Sequence, residues 1–212
     1  MKGLPQAMAT VPAKAARAAK PRTKPAPVRL AELMAAAEDL FVRQGVQATS
    51  IDGIVAQAGV AKGTFYHYFS SKADVLAALR AKFSQGFLDQ IDQAMAACPP
   101  DDGVARLRAW TRAGVQAYFD GYALHDVVFH DTNHPHRGVD ERVAVLAQAE
   151  AMLRQGADAG CWRLDNPALM AIVLYHGMHG AVDDCIARGA SDAATLSAQL
   201  SAMFLRLVGA PS

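Results

Sequence analysis

Cysteine is scarce: the chain has three in 212 residues, at 98, 161 and 185. They are odd in number, scattered, and without C-x-x-C spacing, which excludes a disulfide scaffold and fits a reducing compartment. Long apolar runs are also missing. None approaches the roughly 20 residues that a membrane span needs, and the Lys- and Arg-bearing N-terminus has no apolar h-region of the secretory kind. The expected location is therefore cytoplasmic, with no membrane partner. No alternating strand pattern occurs anywhere. Nor is there a Gly-rich phosphate loop, a G-x-S-x-G elbow or a Cys-His nucleophile pattern, so the expectation is a protein that is not an enzyme.

Acidic residues are absent from the first 29 positions. Lys2, Lys14, Arg17, Lys20, Arg22, Lys24 and Arg29 give that stretch a charge of +7, and five of the ten prolines fall there. Such a segment reads as a disordered basic arm over 1–27, suited to an anionic polymer where Lys and Arg gain by counterion release, or to plain solvation. Residues 30–82 balance to zero. Residues 83–212 carry nine basic and fifteen acidic groups, or −6. The total of +1 thus hides a positive end and a negative body.

What the chain has in quantity is helical periodicity. Leu30, Leu33, Met34, Ala37, Leu40 and Phe41 recur at i, i+3, i+4 and i+7, and Gly45 suits the position just after a helix. Thr49 to Asp52 offers an N-cap, followed by Ile51, Ile54, Val55 and Ala58 on one stripe and then Gly59. Val60 to Phe69 forms a third helix. Ser71 to Asp74 caps a fourth, which carries Leu76, Leu79, Phe83, Phe87, Ile91 and Met95. Two short helices joined by a glycine turn, with longer helices before and after, make a helix-turn-helix unit.

The stretch GVAKGTFYHYFSSK, 59 to 72, packs four aromatic rings and an imidazole into five residues behind two glycines and a lysine. Placed on a helix, the rings separate. Phe65 and Phe69 share a core side with Val60 and Tyr68, while Lys62 and Tyr66, four apart, project together beside His67. Gly63 leaves the projecting face low, so that a backbone could come close to phosphate or a base edge. The run from Thr49 to Lys72 resembles the DNA-binding domain of the TetR/AcrR family of bacterial transcriptional regulators over about residues 28–75. The resemblance implies an all-α homodimer: an N-terminal three-helix helix-turn-helix DNA-binding domain, 28–75, then a larger helical domain, 76–212, for effector binding and dimerisation. It also implies roles. Thr49 and Lys72 match phosphate-contacting helix ends; Ala61, Lys62 and Thr64 match groove-facing positions; Tyr66 and His67 match backbone contacts. Gly53 departs from the pattern, at a cost to the second helix of up to ~1 kcal/mol relative to Ala.

Beyond the fourth helix, the pattern and its breaks at Pro99-Pro100, Pro135, 160–166 and Gly189 predict helices at about 102–119, 120–131, 140–159, 166–188 and 192–207. The segment from Leu169 to Ile186 is apolar nearly all round and so needs cover on two sides. The dimer is expected through helices 166–188 and 192–207, with Gly177 and Gly180 allowing close approach. Candidate effector-lining residues are Phe87, Trp110, Tyr118, Tyr122, Phe129, His130, Met152, Tyr175, Met178 and His179, with Met95 and Trp162 beside them. Such a lining suits an apolar or aromatic small molecule.

The histidines leave an alternative. His125, His130, His134 and His136 cluster in HDVVFHDTNHPH, and His176 and His179 sit three apart. With the neighbouring aspartates they could make a metal-sensing regulator or, less favoured, a metal-dependent hydrolase. Pro135 breaks the helix inside the cluster, and residues five apart lie about 140° around a helix. The expectation is therefore no metal site and no cofactor. The reading as a whole is a regulator, a repressor in the first instance, binding a double-stranded pseudo-palindromic operator as a dimer and released by a small-molecule effector.

Overall fold

A computed structural model describes residues 25–129, 139–190 and 192–210. Nearly all of the basic arm, and His130, His134, Pro135 and His136, lie outside the described residues. Those described form eight helices and no strand: α1 (Ala26–Ala48), α2 (Ile51–Ala58), α3 (Lys62–Tyr68), α4 (Lys72–Ala96), α5 (Gly103–Phe129), α6 (Val139–Asp158), α7 (Pro167–Ala187) and α8 (Ala193–Leu207).

Local chemistry sets most of the N-terminal boundaries. Pro25 and Pro27 open α1, where a missing N–H costs nothing. Gly45, at φ 81°, takes the left-handed conformation that suits glycine, but the helical path resumes to Ala48, so α1 kinks there instead of ending. Ser50, not the expected Thr49, caps α2: its Oγ accepts from the Gly53 N–H at 3.0 Å. Gly59, at φ 65°, closes α2. Ser71 caps α4 by accepting from the Asp74 N–H at 3.3 Å, and the Asp74 carboxylate accepts from the Ser70 N–H at 2.9 Å.

The pair of helices expected at 102–119 and 120–131 is one helix, α5. Next to the expected division, a Cβ at Gly121 would lie 2.5 Å from Phe83 Cε2 of α4. Glycine stands there because an aromatic ring rests on the backbone of α5. Its start is capped by Asp102, whose Oδ1 accepts from the Ala105 N–H at 2.8 Å.

Two apolar cores result. The first gathers Leu33, Ala37 and Phe41 of α1, Ile54 and Val55 of α2, Phe65 of α3, Phe69, and Val75, Leu76 and Leu79 of α4, closed by Val128 from the last turn of α5. The second gathers Phe87, Ile91 and Met95 of α4 with Leu107, Trp110 and Tyr118 of α5, Met152 and Leu153 of α6, Leu174 and Met178 of α7, and Leu200 and Phe204 of α8. At about 1.5–3 kcal/mol for each fully buried large side chain, both are substantial. Helix α4 serves one core with its first half and the other with its second, so it joins them mechanically.

Candidate nucleic-acid interface and effector region

The short helix α3 has a hydrophobic root. Phe65 is fully buried and Phe69 nearly so, their rings 5.8 Å apart. Tyr68 is half-buried and its hydroxyl donates to the Ala26 carbonyl at 3.0 Å, tying α3 to the start of α1. On the other side Ala61, Lys62, Gly63, Tyr66 and His67 are exposed, and Thr64 is half-buried. Among the described residues, Tyr66, at 53% exposure, is the only ring among the exposed large hydrophobic side chains. A Cβ at Gly63 would meet nothing within 4 Å, so glycine is not required by anything inside the protein. Lys62 is not a free charge: Nζ lies 2.8 Å from the Asp52 carboxylate of α2, and this bond raises its pKa.

Two expected phosphate contacts are placed otherwise. Thr49 is 1% exposed; its Oγ1 donates to the Gly45 carbonyl at 2.9 Å and accepts from Gln44 Nε2 at 3.2 Å. Lys72 Nζ donates to the carbonyls of Val46, Gln47 and Thr49 at 2.8, 3.3 and 2.6 Å. Those carbonyls end α1 and lead into α2, where the backbone has orphan acceptors and the helix dipole favours a cation. Both side chains therefore hold the joint between α1, α2 and α4 in the free chain.

In the second core the expected effector residues divide. Trp110, Tyr118, Met152 and Met178 are at most 2% exposed and Phe87 is 6%. They are packed core: a Cβ at Gly114 would meet Met178 Sδ at 2.8 Å, so the thioether fills the space that α5 leaves. Tyr122, Phe129, Tyr175 and His179 are half-buried. Around them lies a node of rings. Tyr118 stands 4.5 Å from both His125 and His179, and Tyr175 stands 4.0 Å from His179, centroid to centroid. Tyr118 donates to Asp183 Oδ1 at 2.7 Å; burial first, then this bond, pushes its hydroxyl pKa well up. Burial raises Tyr175 as well. His176 is exposed and stands apart from His179 despite the three-residue spacing. Among the described residues no group of three or more His, Cys, Asp or Glu could hold a metal ion.

The family model for bacterial regulatory proteins, tetR family, matches residues 33–79, the span from α1 through α3 into α4. Over that segment the chain is similar to the TetR family. The HTH-type transcriptional activator FasR of Mycolicibacterium smegmatis is 34% identical over 98 residues, 46% of this chain and 42% of that protein. This chain thus spans less than half of that relative. Among solved structures, a bacterial regulatory protein in the tetR family from Rhodococcus RHA1 shares the fold at TM-score 0.69 and 22% identity, over 87% of this chain and 98% of that one. The transcriptional regulator FadR of Bacillus subtilis, in complex with stearoyl-CoA, does so at TM-score 0.70 and 17% identity, over 82% of this chain and 96% of that one. The fold of these structures therefore extends over the larger domain as well as the matched segment.

Sequence reasoning missed two residues in this TetR-family frame. Arg80 of α4 is 4% exposed; its Nε donates to the Val128 carbonyl at 2.9 Å, its Nη2 reaches the same oxygen, and its guanidinium lies 5.5 Å from the centre of the Phe129 ring. It fastens the end of α5 to the helix that leaves the TetR-family domain. Asp183 anchors the ring node through Tyr118. Neither sits in a local motif; only the packing of distant helices reveals them.

Proposed function

We propose that this chain is a dimeric, ligand-responsive transcriptional regulator, a repressor in the first instance, with a DNA-binding domain over about 28–75 and an effector and dimerisation domain over 76–212. The observation that carries the reading is α3: a helix rooted by Phe65 and Phe69 whose outer face offers Ala61, Lys62, Gly63, Thr64, Tyr66 and His67 within the matched family segment. In such units the second short helix enters the major groove. Dimerisation through α7 and α8 is supported by Leu169, Ile172, Val173, Met203 and Leu207, all at least 42% exposed, and by the open space beside Gly180. Two reading helices then meet a pseudo-palindrome about 34–36 Å apart or at a spacing the DNA can adopt.

The effector is read as an apolar or aromatic molecule with a polar end, taken up beside the ring node of Tyr118, Tyr122, Tyr175 and His179. Trp110 Nε1–H, buried with no acceptor, would gain one from it. The stearoyl-CoA held by FadR of Bacillus subtilis makes long-chain acyl thioesters the first compounds to try. Effector binding works by preferring one spacing of the two reading helices over another, and differential affinity is what shifts that balance. Arg80 lies on the path, because it ties α5, which carries Tyr118, to α4. The absence among described helices of any long and apolar enough to cross a membrane is compatible with a cytoplasmic regulator, and the reading assigns no catalytic residue.

Band-shift titration of the promoter fragment upstream of its own coding sequence tests the reading, with sedimentation to read the oligomer. Retardation at nanomolar dimer, reversed by an acyl thioester, is expected. A monomer that leaves the fragment unshifted at every concentration overturns it. FasR is an activator by name, so reporter expression with and without the protein fixes the sign.

A further inference from the structure

A groove of about 560 Å³ runs between α5 and α8, away from both the reading helix and the ring node. Arg108 and Arg112 stand along one wall; Ser197, Ala198, Ser201 and Leu205 are among the residues of the other. No carboxylate lines it, although the chain from residue 83 on carries an excess of six acidic groups. Neither arginine has a hydrogen bond or ion pair among the described residues, whereas Arg43, Arg154 and Arg188 each hold a carboxylate four residues away. Four residues apart on one helix, the two guanidinium groups share a face with about 6 Å of rise between them.

The opposite wall adds a second polar element. Ser197 is satisfied, its Oγ donating to the Ala194 carbonyl at 3.0 Å. Ser201 is 8% exposed, lines the groove, and makes no hydrogen bond. A hydroxyl open to the groove and without a partner among the described residues, opposite two unpaired guanidinium groups, forms a donor set for an anion. The floor between them is alanine methyl groups ending at Leu205 and Cys98.

We propose that this groove binds a small organic carboxylate with a slender aliphatic tail: Arg108 and Arg112 take the carboxylate, where planar forks match it in pairs, Ser201 donates to it, and the tail lies along the alanines towards Leu205. The site is distinct from the effector region, on another face of α5. It also stays open in the proposed dimer, because Met203 and Leu207 lie about 140° and 180° around α8 from Ala198.

Calorimetric titration of the full chain with octanoate, acetate and inorganic phosphate tests this. Octanoate is expected to bind, with acetate and phosphate each weaker by about tenfold or more. The double variant Arg108→Gln, Arg112→Gln should lose octanoate affinity by about tenfold or more. Ala198→Trp, which fills the exposed edge of the groove and leaves both charges in place, should do the same. Tyr118→Phe, in the effector region, should keep it. Octanoate binding that survives both groove variants overturns the site, and phosphate binding as tightly as octanoate overturns the tailed carboxylate. Absence of octanoate binding to the wild-type chain overturns the whole proposal. Circular dichroism of each variant separates loss of binding from loss of fold.

Discussion

The two cores of this protein are finished by different means. Around the first, hydrogen bonds at helix ends close the structure: Ser50 and Ser71 cap, Tyr68 reaches the start of α1, and Lys72 collects three carbonyls. Around the second, rings and thioethers press directly on glycine backbones, Trp162 on Gly156, Phe83 on Gly121 and Met178 on Gly114. The small unit is a set of short helices pinned at joints, and the large one is long helices interlocked along their sides. That division suits a reading head carried by a body that senses.

Substitutions can break this contrast at either side, and the largest effect is expected in the interlocked core. A Cβ at Gly156 would lie 2.0 Å from Trp162 Cζ2, so Gly156→Ala must displace the ring whose Nε1 donates to Leu153 O at 2.9 Å. A loss of about 3 kcal/mol is expected in chemical denaturation. Amide exchange should quicken in α5 and α6 well before α1 to α3, and uniform quickening would show that the cores are one unit. Next comes Arg80→Met, which keeps apolar bulk but leaves the Val128 carbonyl without its donor. About 2 kcal/mol should be lost, and in band shifts the variant should bind DNA yet respond less to effector.

Lys72→Met should cost about 1–2 kcal/mol by leaving acceptors unpaired at the α1 joint, with DNA affinity falling only as far as the reading head loosens. A selective loss of affinity at unchanged stability would restore the phosphate role expected from sequence. Gly63→Ala has the opposite signature. The free protein has room for the methyl group, so stability should hold or rise by up to ~1 kcal/mol, while operator affinity should drop by about tenfold, or about 1.4 kcal/mol. Unchanged affinity would mean that no backbone approaches there.

The smallest effect is in alkali. Tyr118 holds its proton more tightly folded than unfolded, through burial and the bond to Asp183. Its contribution is therefore complete below the ordinary tyrosine value of about 10 and is lost as pH rises above it. Tyr118→Phe should flatten the fall of stability above about pH 10, as read by denaturant midpoints.

Legibility in the sequence follows the same division. The helix-turn-helix was readable because its signals are local: Gly59 at a positive φ, serine caps, and apolar residues three and four apart. The last three helices were also placed within a residue or two by proline, asparagine and glycine punctuation. The part Lys72 plays at the α1 joint was not legible, because its acceptors lie 23 to 26 residues back and nothing near it in the chain marks them. The division of α5 between 119 and 120 had no such signal behind it, and the ring for which Gly121 leaves room comes from another helix, beyond the reach of local pattern. Trp110, Tyr118, Met152 and Met178 have the composition of a ligand lining, yet apart from the Tyr118 hydroxyl and the Trp110 N–H they spend themselves on one another.

The bond between Lys62 and Asp52 makes the reading lysine the subject of an exchange. Any phosphate that recruits Lys62 must displace a carboxylate already held at 2.8 Å, and that carboxylate then faces the polyanion. Fewer counterions are released than a bare lysine would free, and the deficit falls on every DNA sequence alike. Contacts that depend on sequence make up a larger share of what remains. In the proposed regulator Asp52 would therefore be a built-in competitor that lowers the background against which an operator is found.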